Sequence, residues 1–404
     1  MPLRPTLALA LAAALAGCSD SPSGTPVPVA PVITVSGVQA GGSYEGAVTV
    51  GIAVDRGTFS ALLNGRSFAG GTVSEPGTYE LRVEARNGAA TSAATVPFTV
   101  RFAGTRVLIV RLLDLGDNES GGGGDAIVLT DSTGGGMRHG LIDAGPQGAN
   151  ASNPGYVAQR LQAMGVTRLD FVQLTHAHSD HYAGLSHVLN TASIATGWFV
   201  YNGQQRANVA GYQTVLTAAN ARADTVVVPT AVTDLPFGYA AGTLKVVPPL
   251  ATYLGNANAS GDQLNEGSLG TSLVRGTFRM FFTGDGEVEA NTRWRTQFAT
   301  LSGAQTALKV GHHGANNAIF DNGFSGAASW LAHTAPQVAV ISANGRTHPR
   351  QNALNALLGR PTPKTYCTSV HGDIAIRVGE NGQYTVTVQR NAALDCRPGT
   401  EATT

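Results

Sequence analysis

Three stretches near the amino terminus alternate between apolar and polar positions. The stretches 48–54, 79–85 and 96–102 each carry apolar side chains at every second residue, and Gly, Pro and Asn fall between them. A period of two is typical of strands that are buried on one face. We therefore expect residues 32–103 to form a small all-β sandwich.

The pattern changes after residue 105. Continuous apolar runs such as RVLIVRLLDL and RLDFVQLTH predict buried strands, and YVAQRLQAMG has a helical spacing that ends at Gly165. Strands and helices alternate to about Arg390, where DIAIRVG and YTVTVQR are predicted to pair. We expect an α/β layered domain over residues 105–390 and a C-terminal tail at 391–404.

The first residues carry the features of an export signal, predicted to span 1–18. Arg4 precedes an apolar run that is too short for a membrane span. The following Leu-Ala-Gly-Cys sequence resembles the lipobox of bacterial lipoproteins, which implies cleavage before Cys18 and lipid on that residue. Several acyl chains would anchor the protein to a membrane, and Ser19 favours the outer membrane, facing the periplasm or the cell surface. An ordinary signal peptide with a chance cysteine is the alternative.

Composition and charge indicate which classes of protein the chain can belong to. Residues 19–31 are rich in Pro, Ser and Gly, which predicts a linker. Hydrophobic residues make up 43% of the chain, which argues against bulk disorder. The formal net charge is zero and the sequence contains no basic tract, so the clustered positive charge that favours nucleic acid could come only from a local groove in the fold. No later run approaches the ~20 apolar residues of a spanning helix, so we expect no membrane channel. In an oxidising compartment Cys367 and Cys396 can form a disulfide or remain as two buried thiols.

The stretch THAHSDHYAG, residues 175–184, follows directly after a predicted strand. Side chains two apart in an extended segment point the same way, so His176 and His178 can reach one metal ion. Asp180 and His181 stand at a predicted helix start and can face a second ion. Histidine and carboxylate are the ligands of catalytic zinc sites, so we expect a metal centre here rather than a surface histidine cluster.

The pattern His-x-His-x-Asp-His resembles the signature of the metallo-β-lactamase superfamily. Further matches lie around it in chain order, namely Asp143 in LIDAG, Asp285 in FFTGDGE and His313 in LKVGHHG. The resemblance implies a four-layer αββα sandwich in which Asp285 bridges two metal ions, Asp143 supports the ligands and His313 completes the ligand set. Residues 32–103 resemble bacterial immunoglobulin-like modules, for which we favour a spacer role over adhesion.

Within the superfamily, LLDLGDNESGGGGDAIVL, VISANGRTHP and GDIAI look like the ComEC-like group, named for a DNA-uptake competence protein. A glycine-rich insertion precedes Asp125, which we expect to support the ligands. The middle histidine ligand of many superfamily members has no counterpart here, and Asn265 is the candidate in its place. One metal site is therefore expected to be water-rich, weaker or empty, which argues against the true β-lactamases.

Two more histidines are candidates for contact with substrate. We expect His313 to bind metal and His312 to contact the substrate or support the ligands. His348, in THP, matches a position near the site in the ComEC-like group and is a candidate for a catalytic or substrate-binding role. Asp180 is the candidate for relaying a proton.

These assignments predict a hydrolase with two metal ions. Histidine-rich ligation in an exported protein favours Zn²⁺ over Mn²⁺. Two such ions lower the pKa of a bridging water, which would attack phosphorus or carbonyl carbon as hydroxide. The ComEC-like resemblance implies a phosphodiester substrate such as DNA or a cell-surface polymer. Hydrolysis of a lactam, lactone or other ester is the alternative, and a non-catalytic surface protein is a third hypothesis.

Overall fold

A computed structural model describes residues 28–45, 48–73, 77–101, 107–116, 124–132, 136–145, 155–238, 243–359 and 364–402. Cys18 and the predicted signal peptide lie outside the described residues, as does most of the predicted linker at 19–31. None of the helices in the described ranges is long and apolar enough to cross a membrane.

The chain divides into two compact units. The first takes its described residues from Met1–Gly42, Thr49–Thr72 and Glu80–Pro97, and the second from Ser43–Val48, Val73–Tyr79 and Phe98–Thr404. The immunoglobulin-like assignment of residues 32–103 stays a prediction.

The amino-terminal part of the chain is all-β, as its alternating pattern predicts. Its strands are β1 (Ile33–Ser36), β2 (Gly42–Glu45), β3 (Val48–Val54), β4 (Thr58–Leu63), β5 (Arg66–Ser67), β6 (Gly71–Val73), β7 (Gly77–Asn87) and β8 (Ala90–Arg101). Among the described residues they form a sheet of order β1-β3-β6 and another of order β2-β8-β7-β4-β5. Alternate side chains of β7, Leu81, Val83 and Ala85, are buried, which confirms the period of two.

The rest of the second unit is mixed α/β. Its strands are β9 (Val107–Leu112), β10 (Ile127–Asp131), β11 (Arg138–Ile142), β12 (Arg168–Leu174), β13 (Ala195–Tyr201), β14 (Ala223–Val227), β15 (Thr233–Asp234), β16 (Leu244–Val247), β17 (Gly270–Arg275), β18 (Phe278–Phe282), β19 (Ala307–Lys309), β20 (Val338–Ile341), β21 (Lys364–Cys367), β22 (Ile374–Gly379) and β23 (Tyr384–Val388). Its helices are α1 (Tyr156–Ala163), α2 (Ser179–Tyr182), α3 (Leu185–Asn190), α4 (Ala210–Arg222), α5 (Gly261–Glu266), α6 (Val288–Gln297), α7 (Ala299–Ser302), α8 (Ser329–Thr334), α9 (Gln351–Leu358) and α10 (Thr368–His371). Short 3-10 turns cover Ala251–Tyr253, His312–Gly314 and Asn316–Ala318.

The strands of this part form two mixed sheets within the described residues. The first has the order β14-β13-β12-β11-β10-β9-β22-β23 and the second the order β15-β16-β17-β18-β19-β20-β21. Strands β11 to β14 run parallel to one another, and so do β18 to β21. In each parallel run the carboxyl ends of the strands therefore lie along one edge of the sheet, where their following loops can meet.

Apolar residues of both sheets share one buried cluster, which includes Phe171 and Ile376 from the first sheet and Met280 and Val340 from the second. The residues between them on the same strands point to the opposite face of each sheet, because successive side chains of a strand alternate between the two faces. Helices α1, α3 and α4 cover the first sheet through residues such as Leu161 and Tyr212, and α6, α8 and α9 cover the second through residues such as Trp294, Trp330 and Leu354.

The residues predicted as a C-terminal tail make contacts of their own. Cys396 forms a disulfide with Cys367, at the end of β21, with 5.3 Å between the two Cα atoms. The Arg346 guanidinium pairs with Glu401 at 2.8 Å. Both cysteines are buried. The disulfide joins the segment after β23 to the second sheet.

Candidate metal centre

The candidate site lies where the parallel strands end. Asp143 directly follows β11, and Thr175 directly follows β12, its parallel neighbour. Asp285 comes after β18 and His313 after β19, which are also parallel neighbours. The order of the strands therefore gathers motifs that are far apart in the sequence.

Asp143 holds His181 in a defined orientation. Its carboxylate accepts hydrogen bonds from the backbone N–H of Thr175 at 2.8 Å and from the Thr175 hydroxyl at 2.7 Å. His181 Nδ1 lies 2.8 Å from the same carboxylate. Because a carboxylate accepts hydrogen bonds, Nδ1 carries the hydrogen and Nε2 of the neutral ring is left for a metal ion. Asp143 itself has a left-handed backbone, φ 58°, a conformation that is uncommon for residues other than glycine.

Asp180, His181, Asp285 and His313 form a compact cluster. One ligand atom from each lies within 4.8 Å of all the others. Oδ2 of Asp285 is 3.1 Å from Nε2 of His181 and 3.3 Å from Nε2 of His313, and Asp180 is 3.3 Å from the same nitrogen of His313. His313 Nδ1 donates to the carbonyl oxygen of Ser342 at 2.9 Å, so its Nε2 also faces the cluster.

His176 and His178 lie together near Asp285, with 3.0 Å between their nearest ring nitrogens. The chain bends at His176 and Ala177, so the two rings meet without the extended segment that the sequence predicts. Oδ2 of Asp285 is 3.9 Å from Nε2 of His176, so this oxygen faces His176 as well as His181 and His313. Burial lowers the pKa of His176 well below its usual value, which favours the neutral ring that a metal ion needs.

These residues fit a divalent metal ion. Nε2 of His181 and Nε2 of His313 are buried and form no hydrogen bond with the described part of the chain. Buried polar atoms normally have partners, and a set of ligand atoms that point inward without one is what a metal ion requires. The His/Asp cluster could therefore hold a metal.

Electrostatics in the cluster couples metal binding to protons. Burial alone would lower the pKa of His313, but the Asp285 and Asp180 carboxylates raise it to about 10. In the same way the carboxylates of Asp285 and Asp143 outweigh burial and raise the pKa of His181. Burial would raise the pKa of Asp180, yet His181 and His313 hold it below its usual range. A metal ion must displace protons from the histidines, so its uptake should release protons.

A second group of polar side chains borders the cluster. His312 Nδ1 lies 2.8 Å from the carboxylate of Glu287, which also accepts a hydrogen bond from Asn265 at 2.7 Å. The rings of His312 and His348 stack with 5.6 Å between centroids. Asn265 thus contacts Glu287 and lies 3.5 Å from His312. Glu287 was not singled out from the sequence, although it ends the FFTGDGE motif.

Lys309 is another residue that motif matching missed. It is fully buried and forms an ion pair with Asp125, whose backbone N–H donates to the carbonyl oxygen of Asp180 at 3.2 Å. Asp125, which follows the glycine-rich insertion in the sequence, therefore lies at the centre. A lysine inside the apolar strand that precedes the HHG motif was the signal that could have drawn attention to it.

No protein-family model and no curated protein sequence matches this chain. Among solved structures, the chain is similar to a point mutant of CmlA beta-hydroxylase, with a TM-score of 0.39 and 15% sequence identity over 67% of this chain and 54% of that chain. The matched part thus spans about half the length of that protein. The mixed α/β architecture and the His/Asp cluster are consistent with a metallo-β-lactamase-like fold. What the site can do chemically follows from its own residues.

Proposed function

We propose that this protein is a metal-dependent hydrolase with the four-layer αββα fold of the metallo-β-lactamase superfamily and a two-metal centre. The observation that carries the proposal is the cluster of Asp180, His181, Asp285 and His313. One ligand atom of each residue lies within 4.8 Å of all the others, and Nε2 of both histidines is buried without a hydrogen bond to the described residues. Two imidazole nitrogens and two carboxylates within reach of one ion are the ligand types of a catalytic zinc site.

The ligands divide into two sets that share one carboxylate. Asp180, His181, Asp285 and His313 would hold one ion, and His176 and His178 would hold the other together with Asp285. We propose Zn²⁺ for both, with Mn²⁺ as the alternative, because histidine nitrogens dominate the ligand set. When bound, the ions supply a water of lowered pKa as nucleophile and stabilise negative charge that develops in the transition state.

The chain's own residues provide orientation and proton transfer. Asp180 is the most exposed member of the cluster, with 24% of its side chain accessible. Because solvent reaches this carboxylate more readily than the other members of the cluster, we propose that it accepts a proton from an entering water. Asp143 and the Ser342 carbonyl fix the two histidine rings.

For the substrate we propose a phosphodiester, such as DNA or a cell-surface polymer. The stacked rings of His312 and His348 stand next to His313, and we propose that they donate hydrogen bonds to a phosphate oxygen. We further propose that the protein is exported and lipid-anchored through Cys18, with residues 32–103 as an immunoglobulin-like spacer. This would place the hydrolase at a membrane surface, in reach of surface polymers.

The test is hydrolysis of bis(p-nitrophenyl) phosphate by residues 19–404, with zinc and with manganese, beside nitrocefin. We expect metal-dependent phosphodiester cleavage that falls at least ~100-fold in Asp180→Ala, as is typical for loss of a proton-transfer group. Asp224→Ala, at an exposed ion pair with Arg168, should keep full activity. Cleavage of nitrocefin alone would favour lactam or ester hydrolysis. Full activity in Asp180→Ala would refute the assigned role, and the absence of bound metal would favour a non-catalytic surface protein.

A further inference from the structure

Lys309 is a buried cation within the proposed metal centre. It ends β19, and its side chain is fully shielded from solvent. Its ammonium forms an ion pair with Asp125 and donates to the carbonyl oxygen of Gly284 at 3.1 Å. A buried charge is tolerated only when it is paired and hydrogen-bonded, so these contacts fix the position of the ammonium group.

The two carboxylate oxygens of Asp285 face different neighbours. Oδ2 lies within 3.1 to 3.9 Å of ring nitrogens of His176, His181 and His313. Oδ1 lies 3.9 Å from Nζ of Lys309. Rotation of the carboxylate would move negative charge away from the ammonium. The lysine therefore favours the orientation in which Oδ2 is presented to both sets of proposed ligands.

Asp125 extends the influence of Lys309 to the ligand histidines. One of its oxygens pairs with the lysine and lies 3.9 Å from Nδ1 of His181. The other lies 3.8 Å from Nδ1 of His313. Asp125 is thus held between the lysine and the ring edges that carry Nδ1 of His181 and His313.

Lys309 also changes the net charge of the proposed metal centre. Asp125, Asp143, Asp180 and Asp285 bring four carboxylates to the clusters formed by the described residues. With the lysine their summed charge is −3, and two divalent ions change it to +1. Without the lysine the same centre would be neutral. A net positive centre attracts an anionic substrate such as a phosphodiester.

We propose that Lys309 and Asp125 form a positioning pair that orients Asp285 as the carboxylate shared by the two metal ions. The pair contacts no substrate and acts through Asp285, His181 and His313. This inference rests on the proposed metal centre and extends it, since it names residues that set metal affinity without being ligands.

The test compares Lys309→Met with the double variant Lys309→Met/Asp125→Asn. Zinc affinity would be measured by competition with a chromogenic chelator, and ligand geometry by the visible absorption of the Co²⁺-substituted protein. We expect the double variant, which leaves no unpaired charge, to fold like the wild type. Its zinc affinity should nevertheless fall by about 10–100-fold, the usual effect of losing a group that orients metal ligands, and its Co²⁺ spectrum should shift. The matched surface pair variant Lys245→Met/Asp234→Asn should change neither quantity.

Wild-type affinity and an unshifted Co²⁺ spectrum in the double variant would overturn the proposal, because they would show that the pair only balances charge. If the double variant does not fold, Lys309→Arg decides the question. Arginine keeps the charge, but its longer side chain and planar guanidinium move that charge from the position of Nζ. We therefore expect weaker zinc binding, and unchanged binding would overturn the proposal as well. Wild-type protein that binds neither zinc nor manganese would refute the proposed function instead.

Discussion

The hydrogen bond between His181 and Asp143 decides which ring nitrogen of His181 is free for a metal ion. The carboxylate of Asp143 fixes the hydrogen on Nδ1, at 2.8 Å, and leaves Nε2 toward Asp285. His313 uses the carbonyl oxygen of Ser342 for the same purpose. At the scale of single residues, the centre depends on these acceptors as much as on the ligands themselves.

This dependence predicts the effect of Asp143→Asn. An amide can present its NH₂ group to the histidine or to Thr175, so Nδ1 of His181 would lose a reliable acceptor. We expect zinc affinity to fall by roughly 10–100-fold with little change in fold, measured by chelator competition and far-UV circular dichroism. Asp170→Asn, at a buried carboxylate that pairs with Arg138 on the neighbouring strand, is the control. Equal affinity in wild type and Asp143→Asn would show that Asp143 does not orient the ligand.

Residues of the centre differ in how far the sequence alone could predict them. His176, His178 and His181 could be predicted because their spacing within one segment already places them together. Lys309 and Glu287 were not, because their partners Asp125 and His312 are distant in the sequence. Contacts of that kind follow from strand order, which a local pattern does not contain.

At the scale of elements, the amino terminus of α6 has an unusual cap. No side chain at the N-cap position bonds to the helix. Instead, Glu266 from α5 accepts hydrogen bonds from the backbone N–H groups of Glu289 at 2.9 Å and Ala290 at 2.7 Å. A carboxylate at this end also interacts favourably with the helix dipole. Burial nevertheless dominates and raises the pKa of Glu266 from 4.5 to about 7.

The raised pKa predicts how stability depends on pH. The folded state keeps a proton on Glu266 that the unfolded chain loses near pH 4.5, so stability falls as pH rises from 4.5 to about 7. The loss attributable to this residue is at most roughly 3 kcal/mol. The free energy of unfolding would be measured with urea on chelator-treated wild type and Glu266→Gln. The value for wild type minus the value for the variant should decrease as the pH rises over this range. A difference that is constant with pH would contradict the assignment, and Glu401→Gln, at an exposed ion pair, serves as control.

The disulfide acts on a set of elements at the carboxyl end. It closes a segment with a sequence separation of 29 that contains α10, β22 and β23. Because β22 and β23 belong to the first sheet and β21 to the second, the cross-link restricts a segment that connects the two sheets.

Loss of this cross-link should destabilise the protein. Closing a loop of this length lowers the entropy of the unfolded chain, which raises the free energy of the unfolded state by roughly 3–4 kcal/mol. We expect Cys367→Ser/Cys396→Ser to lower the free energy of unfolding by about that amount, measured with urea under oxidising conditions. Wild-type protein in reductant should match the variant. Equal stability of variant and oxidised wild type would show that the disulfide does not constrain the unfolded state.

At the scale of the whole molecule, the elements were easier to predict than their arrangement. The alternation that predicted β7 and the apolar runs that predicted β9 and β12 are local properties, and the structure contains these strands. The position of β22 beside β9 joins residues 374–379 to 107–112. That pairing depends on which strand edges remain free after the other strands have paired, so no segment pattern could predict it.

The arrangement of the sheets predicts that metal binding stabilises the molecule globally. Ligands from the ends of β12, β18 and β19 come from both sheets, so an ion bound to them holds both sheets in place. An ion that binds only the folded state at 100 times its Kd adds about 2.7 kcal/mol, which for a unit of this size corresponds to a rise in Tm of roughly 3–5 °C. Thermal unfolding with increasing zinc should show this rise in wild type and lose it in His313→Ala. His333→Ala, whose ring contacts Ser302 outside the cluster, should keep it. A Tm that does not change with zinc in wild type would mean that the converging carboxylates and histidines do not hold a metal ion.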